Sequence, residues 1–182
     1  AIKIASPELN HFPMLEELLR LQNTYYENAQ IPVILSSGVS KLEDIDKTLK
    51  FLNPLLYAAC ADKELPLISL LHCVTSYPAP ETDYNLAVLK FLKERFSISV
   101  GVSDHSLDPE LVPAITVAAG GKIIEKHITL SRETDGLDDP VALNPEQFAQ
   151  MVKIVHSVDL LAEEERLSYL MKEFGTEKVN AI

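Results

Sequence analysis

The residues of this chain that could do chemistry gather at the ends of short apolar runs. Gly101-Val102-Ser103-Asp104-His105-Ser106 closes one run, and Ile123-Ile124-Glu125-Lys126-His127-Ile128-Thr129 closes another. In a β-strand, residues two apart share a face. Ser103 and His105 therefore point together, as do Glu125, His127 and Thr129, whereas Ile124 and Ile128 take the opposite face. If the two runs are neighbouring strands, two imidazoles emerge side by side. Imidazole is the commonest metal ligand, and two histidines with oxygen donors suit a divalent ion that keeps open positions. Glu125, one step deeper, is placed to orient a ring from behind. Lys3 shares a face with Ala5, and a lysine facing inward is costly unless it meets an anion. Ser6, Ser36 and Ser103, each at the end of a run, could donate hydroxyls to phosphate oxygens.

Each of these residues also has an ordinary reading. A single strand histidine is commonly a hydrogen-bonded core residue, and for two at matching strand ends the core and ligand readings both stand. A lone lysine is usually on the surface, and strand-end serines usually belong to turns and caps. His72, in the middle of a run, reads as a hydrogen-bonded core residue. His11 and His156 fall in helical segments and read as solvated, and Glu163–Glu165 reads as an exposed helix face.

Five runs rich in β-branched and aliphatic residues could carry such sites: Ile2–Ala5, Pro32–Ser36, Leu67–Cys73, Ile98–Ser103 and Lys122–Thr129. Each precedes a segment of helical periodicity, and the step between runs is roughly 25–35 residues, the size of a βα unit. Pro13 opens a helix with Leu15, Leu18 and Leu19 on one face. Ser40 and Glu43 have capping-box spacing ahead of Leu42, Ile45 and Leu49. Tyr84 to Phe96 carries Leu86, Leu89 and Leu92 at helical spacing. Asp108-Pro109-Glu110 and Asn144-Pro145-Glu146 each put a capping side chain before proline at the first helical position. The last helix is expected to run from Pro145 past His156 into Glu163–Arg166. Repeated βα units imply parallel strands with right-handed crossovers, in an open doubly wound sheet or in part of a barrel. No G-x-G-x-x-G or phosphate-loop motif follows any run, so nothing supports a nucleotide fold.

The 182 residues, 47% hydrophobic, suffice for one domain with a core. No apolar run reaches the ~18 residues of a membrane span, and Ala1-Ile2-Lys3-Ile4 lacks a signal-peptide layout. Cys60 and Cys73 are too few for a disulfide framework, which points to a reduced, cytoplasmic setting. A formal charge of −11 disfavours nucleic acid and anionic membrane as partners. An anionic substrate would then need a local cluster of donors.

Taken together, the motifs resemble the sialic acid synthase family, which includes the N-acetylneuraminate, legionaminic and pseudaminic acid synthases. The stretches that carry the resemblance are K-I-A-S-P-E at Lys3–Glu8, V-I-L-S-S-G at Val33–Gly38, L-L-H-C at Leu70–Cys73 and Y-P-A-P at Tyr77–Pro80. G-V-S-D-H-S at Gly101–Ser106, I-I-E-K-H-I-T-L at Ile123–Leu130 and D-G-L-D at Asp135–Asp138 follow in the same order. Each alone is weak, but in register they span nearly the whole chain. The resemblance implies a (β/α)8 barrel and a divalent ion, Mn²⁺ or Mg²⁺, held by His105 and His127. It implies phosphoenolpyruvate bound by Lys3, Ser6, Ser36 and Ser103, and an open-chain N-acylated amino sugar, such as N-acetylmannosamine, contacted by Glu8, Thr75, Tyr77 and Asp138. The reaction implied is attack of the enol carbon of phosphoenolpyruvate on the sugar aldehyde, giving a nonulosonic acid, with Glu8, His105 and His127 catalytic and Glu8 moving a proton.

Against the family pattern, the chain supplies about five of the eight βα units and reads as the C-terminal portion of the barrel. Three preceding units and a C-terminal antifreeze-like domain are not part of it. The full-length protein is expected to be a homodimer and the isolated chain inactive. Thr75 stands where some members have Asn, which leaves the sugar open. The alternatives are another phosphoenolpyruvate-condensing synthase of the 3-deoxy-octulosonate 8-phosphate type, a metal-dependent sugar isomerase, and a non-catalytic βα segment that needs a partner chain.

Overall fold

A computed structural model describes residues 1–25, 31–53 and 66–182; Cys60 lies outside them. Among the described residues, five strands form one parallel sheet in the order β1-β2-β3-β4-β5. They are β1 (Ile2–Ile4), β2 (Val33–Ser36), β3 (Ile68–Cys73), β4 (Ser99–Asp104) and β5 (Ile123–Lys126). The helices are α1 (Phe12–Tyr25), α2 (Leu42–Phe51), α3 (Val88–Phe96), α4 (Leu111–Ala118), α5 (Pro145–Asp159), α6 (Glu163–Phe174) and α7 (Thr176–Asn180). Sequential neighbours throughout, without reversal of order, mark a barrel arc rather than a doubly wound sheet.

Strand phase determines which face the helices cover. Ile4 pairs with Leu35, Leu35 with Leu70 and Leu70 with Val100. This row packs in one core with Leu15 and Leu18 of α1, Ile45 and Leu49 of α2, Leu89 and Leu92 of α3, and Val112 and Ile115 of α4. Leu71 and Cys73, of the opposite phase, are buried but lie outside that core. The helices therefore lie on the outer face, and the other face, with Lys3, Ser36, Ser103 and Glu125, is the concave interior of a partial (β/α)8 barrel. Leu35 and Leu70 are fully buried, so truncating either to alanine would cost about 2–5 kcal/mol. Gly101 lets β4 and β5 approach closely: a Cβ there would lie 2.0 Å from the Ile123 carbonyl oxygen.

Local signals hold best where a cap is strong. Asp108 Oδ1 accepts from the Glu110 and Leu111 N–H groups at 2.8 and 2.9 Å, although α4 begins only at Leu111, so Pro109 precedes the helix instead of opening it. Asn144 and Gln147 form a reciprocal capping box at the start of α5. Elsewhere the boundaries differ from expectation. The helix α2 begins at Leu42 with the Asp44 carboxylate accepting from the Lys41 N–H, so the Ser40–Glu43 box does not form. His11 lies ahead of α1 and caps it, its Nδ1 accepting from the Met14 N–H. Leu86 precedes α3, which begins at Val88 after the left-handed residue Asn85. The expected long last helix is two. It breaks after Asp159, and the Arg166 guanidinium binds the Asp159 and Leu161 carbonyls at the break. The break lets α6 fold back with three glutamates in its first turn, where the helix dipole favours them. The fifth strand stops at Lys126, and Ile128, which parity places on the same face as Ile124, is exposed.

Candidate functional site

The polar ends of the strands meet on the concave face. Cys73 pairs with Ser103, and Ser103 pairs with Glu125, on three adjacent strands. The Ser103 hydroxyl donates to Glu125 Oε1 at 2.8 Å. Lys3 Nζ reaches the same carboxylate at 3.0 Å from Oε2, although β1 and β5 are the outermost strands. The inward lysine thus does meet an anion. Glu125, expected to orient an imidazole, instead holds Lys3 and Ser103. Near β2, Ser6 Oγ accepts from the Gly38 N–H at 3.0 Å. A Cβ on Gly38 would sit 2.6 Å from Thr75 Cγ2, 2.8 Å from Ser6 Oγ and 3.1 Å from Cys73 Sγ, so only glycine leaves this cradle open. Ser36 is buried, and among the described residues its Oγ has no hydrogen-bond partner.

The two histidines leave the sheet side by side. The ring centroids of His105 and His127 are 5.4 Å apart, 34° from parallel. Tyr77 lies against His105 with centroids at 4.1 Å, and its ring is 6.2 Å from that of His127. His105 is buried, and its Nδ1 lies 3.0 Å from the Val74 carbonyl oxygen. That oxygen can only accept, so Nδ1 carries the proton and Nε2 keeps its lone pair. Burial also holds His105 below the usual imidazole range, which favours the neutral ring that a metal requires. His127 Nδ1 lies 3.7 Å from Asp138 Oδ2, a loose contact at the exposed rim. Burial raises the Tyr77 hydroxyl above the ordinary phenol value.

The expected residues therefore form three groups: Lys3 with Ser103 through Glu125; Ser6 and Thr75 around Gly38; and His105 with His127, Tyr77 and Asp138. Glu8 is half-buried on the 3-10 turn Ser6–Glu8 that follows β1. Among the described residues, no hydrogen bond or ion pair joins its carboxylate to either histidine. Nor does any cluster of three or more His, Cys, Asp or Glu side chains form a metal cage among them. Two imidazoles with open positions still fit a divalent ion that completes its shell with substrate oxygens. His72 is the hydrogen-bonded residue expected, with Nε2 donating to the Tyr84 carbonyl at 2.7 Å. His11 and His156 are exposed, as expected.

A buried network behind the histidines was not anticipated. Lys126 Nζ and Asp104 Oδ2 form an ion pair at 2.7 Å with both side chains fully buried. Asp104 Oδ1 accepts from the Tyr84 hydroxyl and the Ser106 N–H, each at 2.8 Å. The sequence held one signal for it: Asp104 and Lys126 follow the core phase of Val102 and Ile124, and they pair directly across β4 and β5. An acid and a base in core phase on adjacent strands must neutralise each other.

Known proteins resemble this chain over most of its length. An uncharacterized protein of Methanocaldococcus jannaschii is 40% identical over 159 residues, covering 87% of this chain and 42% of that protein. The spore coat polysaccharide biosynthesis protein SpsE of Bacillus subtilis is 35% identical over 153 residues, covering 84% of this chain and 37% of that protein. The N,N'-diacetyllegionaminic acid synthase of Legionella pneumophila is 29% identical over 158 residues, covering 87% and 41%. The chain thus spans about two fifths of the length of these relatives. The crystal structure of SpsE superposes with a TM-score of 0.74 at 31% identity, covering 97% of this chain and 44% of that one. The N-acetylneuraminic acid (sialic acid) synthetase of Leptospira borgpetersenii, in complex with citrate, superposes with a TM-score of 0.71 at 29% identity, covering 96% and 58%. Residues 1–166 match the NeuB family model, and the chain, with its parallel barrel arc and paired histidines, belongs to the NeuB family.

Proposed function

We propose that this chain is the catalytic portion of a synthase that condenses phosphoenolpyruvate with an N-acylated amino sugar, of the N-acetylmannosamine type, to give a nonulosonic acid. The observation that carries the reading is the concave face itself. Lys3, Ser103 and the buried hydroxyl of Ser36, unpartnered among the described residues, share it, and the two imidazoles stand at the ends of its last two strands. A buried hydroxyl without a partner is costly and is explained by a ligand that satisfies it.

In this reading Lys3, Ser6, Ser36 and Ser103 bind the phosphate and carboxylate of phosphoenolpyruvate. Tyr77, Thr75 and Asp138 line the sugar side of the mouth, and Glu8 moves a proton. His105 and His127 would hold a Mn²⁺ or Mg²⁺ ion, which when bound polarises the sugar aldehyde. The Val74 carbonyl keeps the His105 ring oriented for that task. Tyr77 shields His105 on one side. Orientation of two bound substrates is the chain's main contribution to rate.

The activity belongs to a longer protein, a homodimer acting in the cytoplasm. Among the described residues no helix is long and apolar enough to cross a membrane. Among the described residues β1 and β5 each pair with a strand on one side only, with Leu143 bridging Ile128 just beyond β5, and such edges invite association. The isolated chain is therefore expected to self-associate and to lack turnover. The test is phosphate release from phosphoenolpyruvate with N-acetylmannosamine and Mn²⁺, in the full-length protein and in its His127→Ala and Lys3→Ala variants. His127→Ala should abolish metal-dependent turnover, and Lys3→Ala should raise KM for phosphoenolpyruvate more than for the sugar. Retained activity in His127→Ala, or equal effects of Lys3→Ala on both substrates, would contradict the assignment.

A further inference from the structure

We infer that the buried network of Tyr84, Asp104, Lys126 and Ser106 is a positioning device that sets the spacing of His105 and His127 and thereby the metal affinity of the pair. The inference rests on the reading that the two histidines hold a divalent ion. A fully buried ion pair is a weak source of stability, because apolar residues of similar volume usually serve as well or better. Cohesion between β4 and β5 therefore does not explain why an acid and a base occupy core positions there.

What the network holds is the backbone of the site. The strand β4 ends at Asp104 and β5 at Lys126, so His105 and His127 stand just beyond the paired strands, where their carbonyls accept from the Ala79 and Leu143 N–H groups at 3.0 and 2.9 Å and the β4–β5 ladder no longer joins them. The Tyr84 hydroxyl accepts from the His105 N–H at 2.7 Å while donating to Asp104 Oδ1 at 2.8 Å. The other proton-bearing group of that turn, the Ser106 N–H, is taken by the same carboxylate oxygen. Lys126 donates to the Ser106 carbonyl at 2.6 Å and lies 3.2 Å from its hydroxyl. The neighbour of one histidine is thus bonded directly to the neighbours of the other, across two strands. Val74 fixes the rotation of the His105 ring, whereas the network fixes where its backbone stands relative to His127. Tyr84 and Lys126 touch neither substrate nor ion in this scheme and act through the histidines. Outer partners of this kind are commonly worth about 10–100-fold in metal affinity.

The experiment is Mn²⁺ titration of the full-length protein, followed by the electron paramagnetic resonance signal of free Mn²⁺, at a temperature well below each variant's Tm. Tyr84→Phe removes one oxygen from the network, and His127→Ala serves as the ligand control. The expected result is Mn²⁺ binding by the wild type, loss in His127→Ala, and about 10–100-fold weaker binding in Tyr84→Phe with an unchanged far-ultraviolet spectrum. Amide exchange at His105 and Ser106 should accelerate in the same variant. A folded Tyr84→Phe with wild-type Mn²⁺ affinity would overturn the inference, because a purely structural role lowers Tm without moving Kd. If Tyr84→Phe does not fold, Asp104→Asn combined with Lys126→Met removes both charges together and should weaken Mn²⁺ in the same way. A wild type without Mn²⁺ affinity would instead sink the two-histidine reading, and this inference with it.

Discussion

Replacing Ser36 by alanine should make the protein more stable and the site worse. The side chain is 1% exposed at the end of β2, paired in register with Leu71, and among the described residues its hydroxyl has no partner. Burying a hydroxyl without a hydrogen bond costs about 1–3 kcal/mol in mutational terms. Alanine keeps the Cβ in place and removes only the oxygen, so the packing lost is small. The net gain expected is about 1–2 kcal/mol, and at roughly 2–4 °C per kcal/mol for a domain of this length Tm should rise by about 2–8 °C. The same oxygen is assigned to the substrate anion, and a hydrogen bond to a charged group is worth about 1.5–3 kcal/mol, so phosphoenolpyruvate should bind ~10-fold more weakly or worse. Urea denaturation with an unchanged m-value measures the first effect, and calorimetric titration with phosphoenolpyruvate the second. A variant less stable than the wild type would show that Ser36 is an ordinary bonded serine. A stabilised variant with undiminished anion affinity would show that the hydroxyl serves no ligand.

Three further outcomes follow from the same geometry. Lys126→Met should destabilise by about 3–5 kcal/mol, because Asp104 would stay buried and unpaired, and adding Asp104→Asn should recover most of the loss; urea curves for the single and double variants check this, and strict additivity would refute it. Glu125→Gln should leave stability within about 1 kcal/mol, the ion pair being partly exposed. It should also tighten phosphate binding about fivefold or more, since one charge exerts ~1 kcal/mol at 4 Å even in water. Weaker phosphate binding measured by calorimetry would instead make Glu125 an indispensable support of Lys3. Burial holds His72 below the usual imidazole value, so the unfolded chain binds the proton first. The His72 contribution is complete above about pH 6.5 and declines as pH falls from there through the folded value. His72→Gln should therefore show a shallower loss of stability between pH 7 and 5, and identical slopes would count against a neutral buried ring.

What the amino-acid order determined by itself was local. Alternation along Ile123–His127 separates Glu125 and His127 from Ile124, and a strong cap such as Asn144 starts its helix where its side chain can reach an orphan N–H group. Such features rest on neighbours within a turn or a strand, so they can be read without a fold. Boundaries set by distant partners could not: α5 ends at Asp159, and Arg166, which holds that break, also reaches Val117, 49 residues away. Glu125 shows the same limit at the site. Parity put it on the concave face, but its partner, Lys3, is 122 residues earlier and meets it only because the outermost strands of the sheet face each other. The pairing of Asp104 with Lys126 and the approach of the Tyr84 hydroxyl likewise depend on strand register and on where the segment before α3 packs. Side-chain phase is a property of the chain, whereas the partner a buried charge finds depends on which distant strand lies opposite it, and only the tertiary structure decides that.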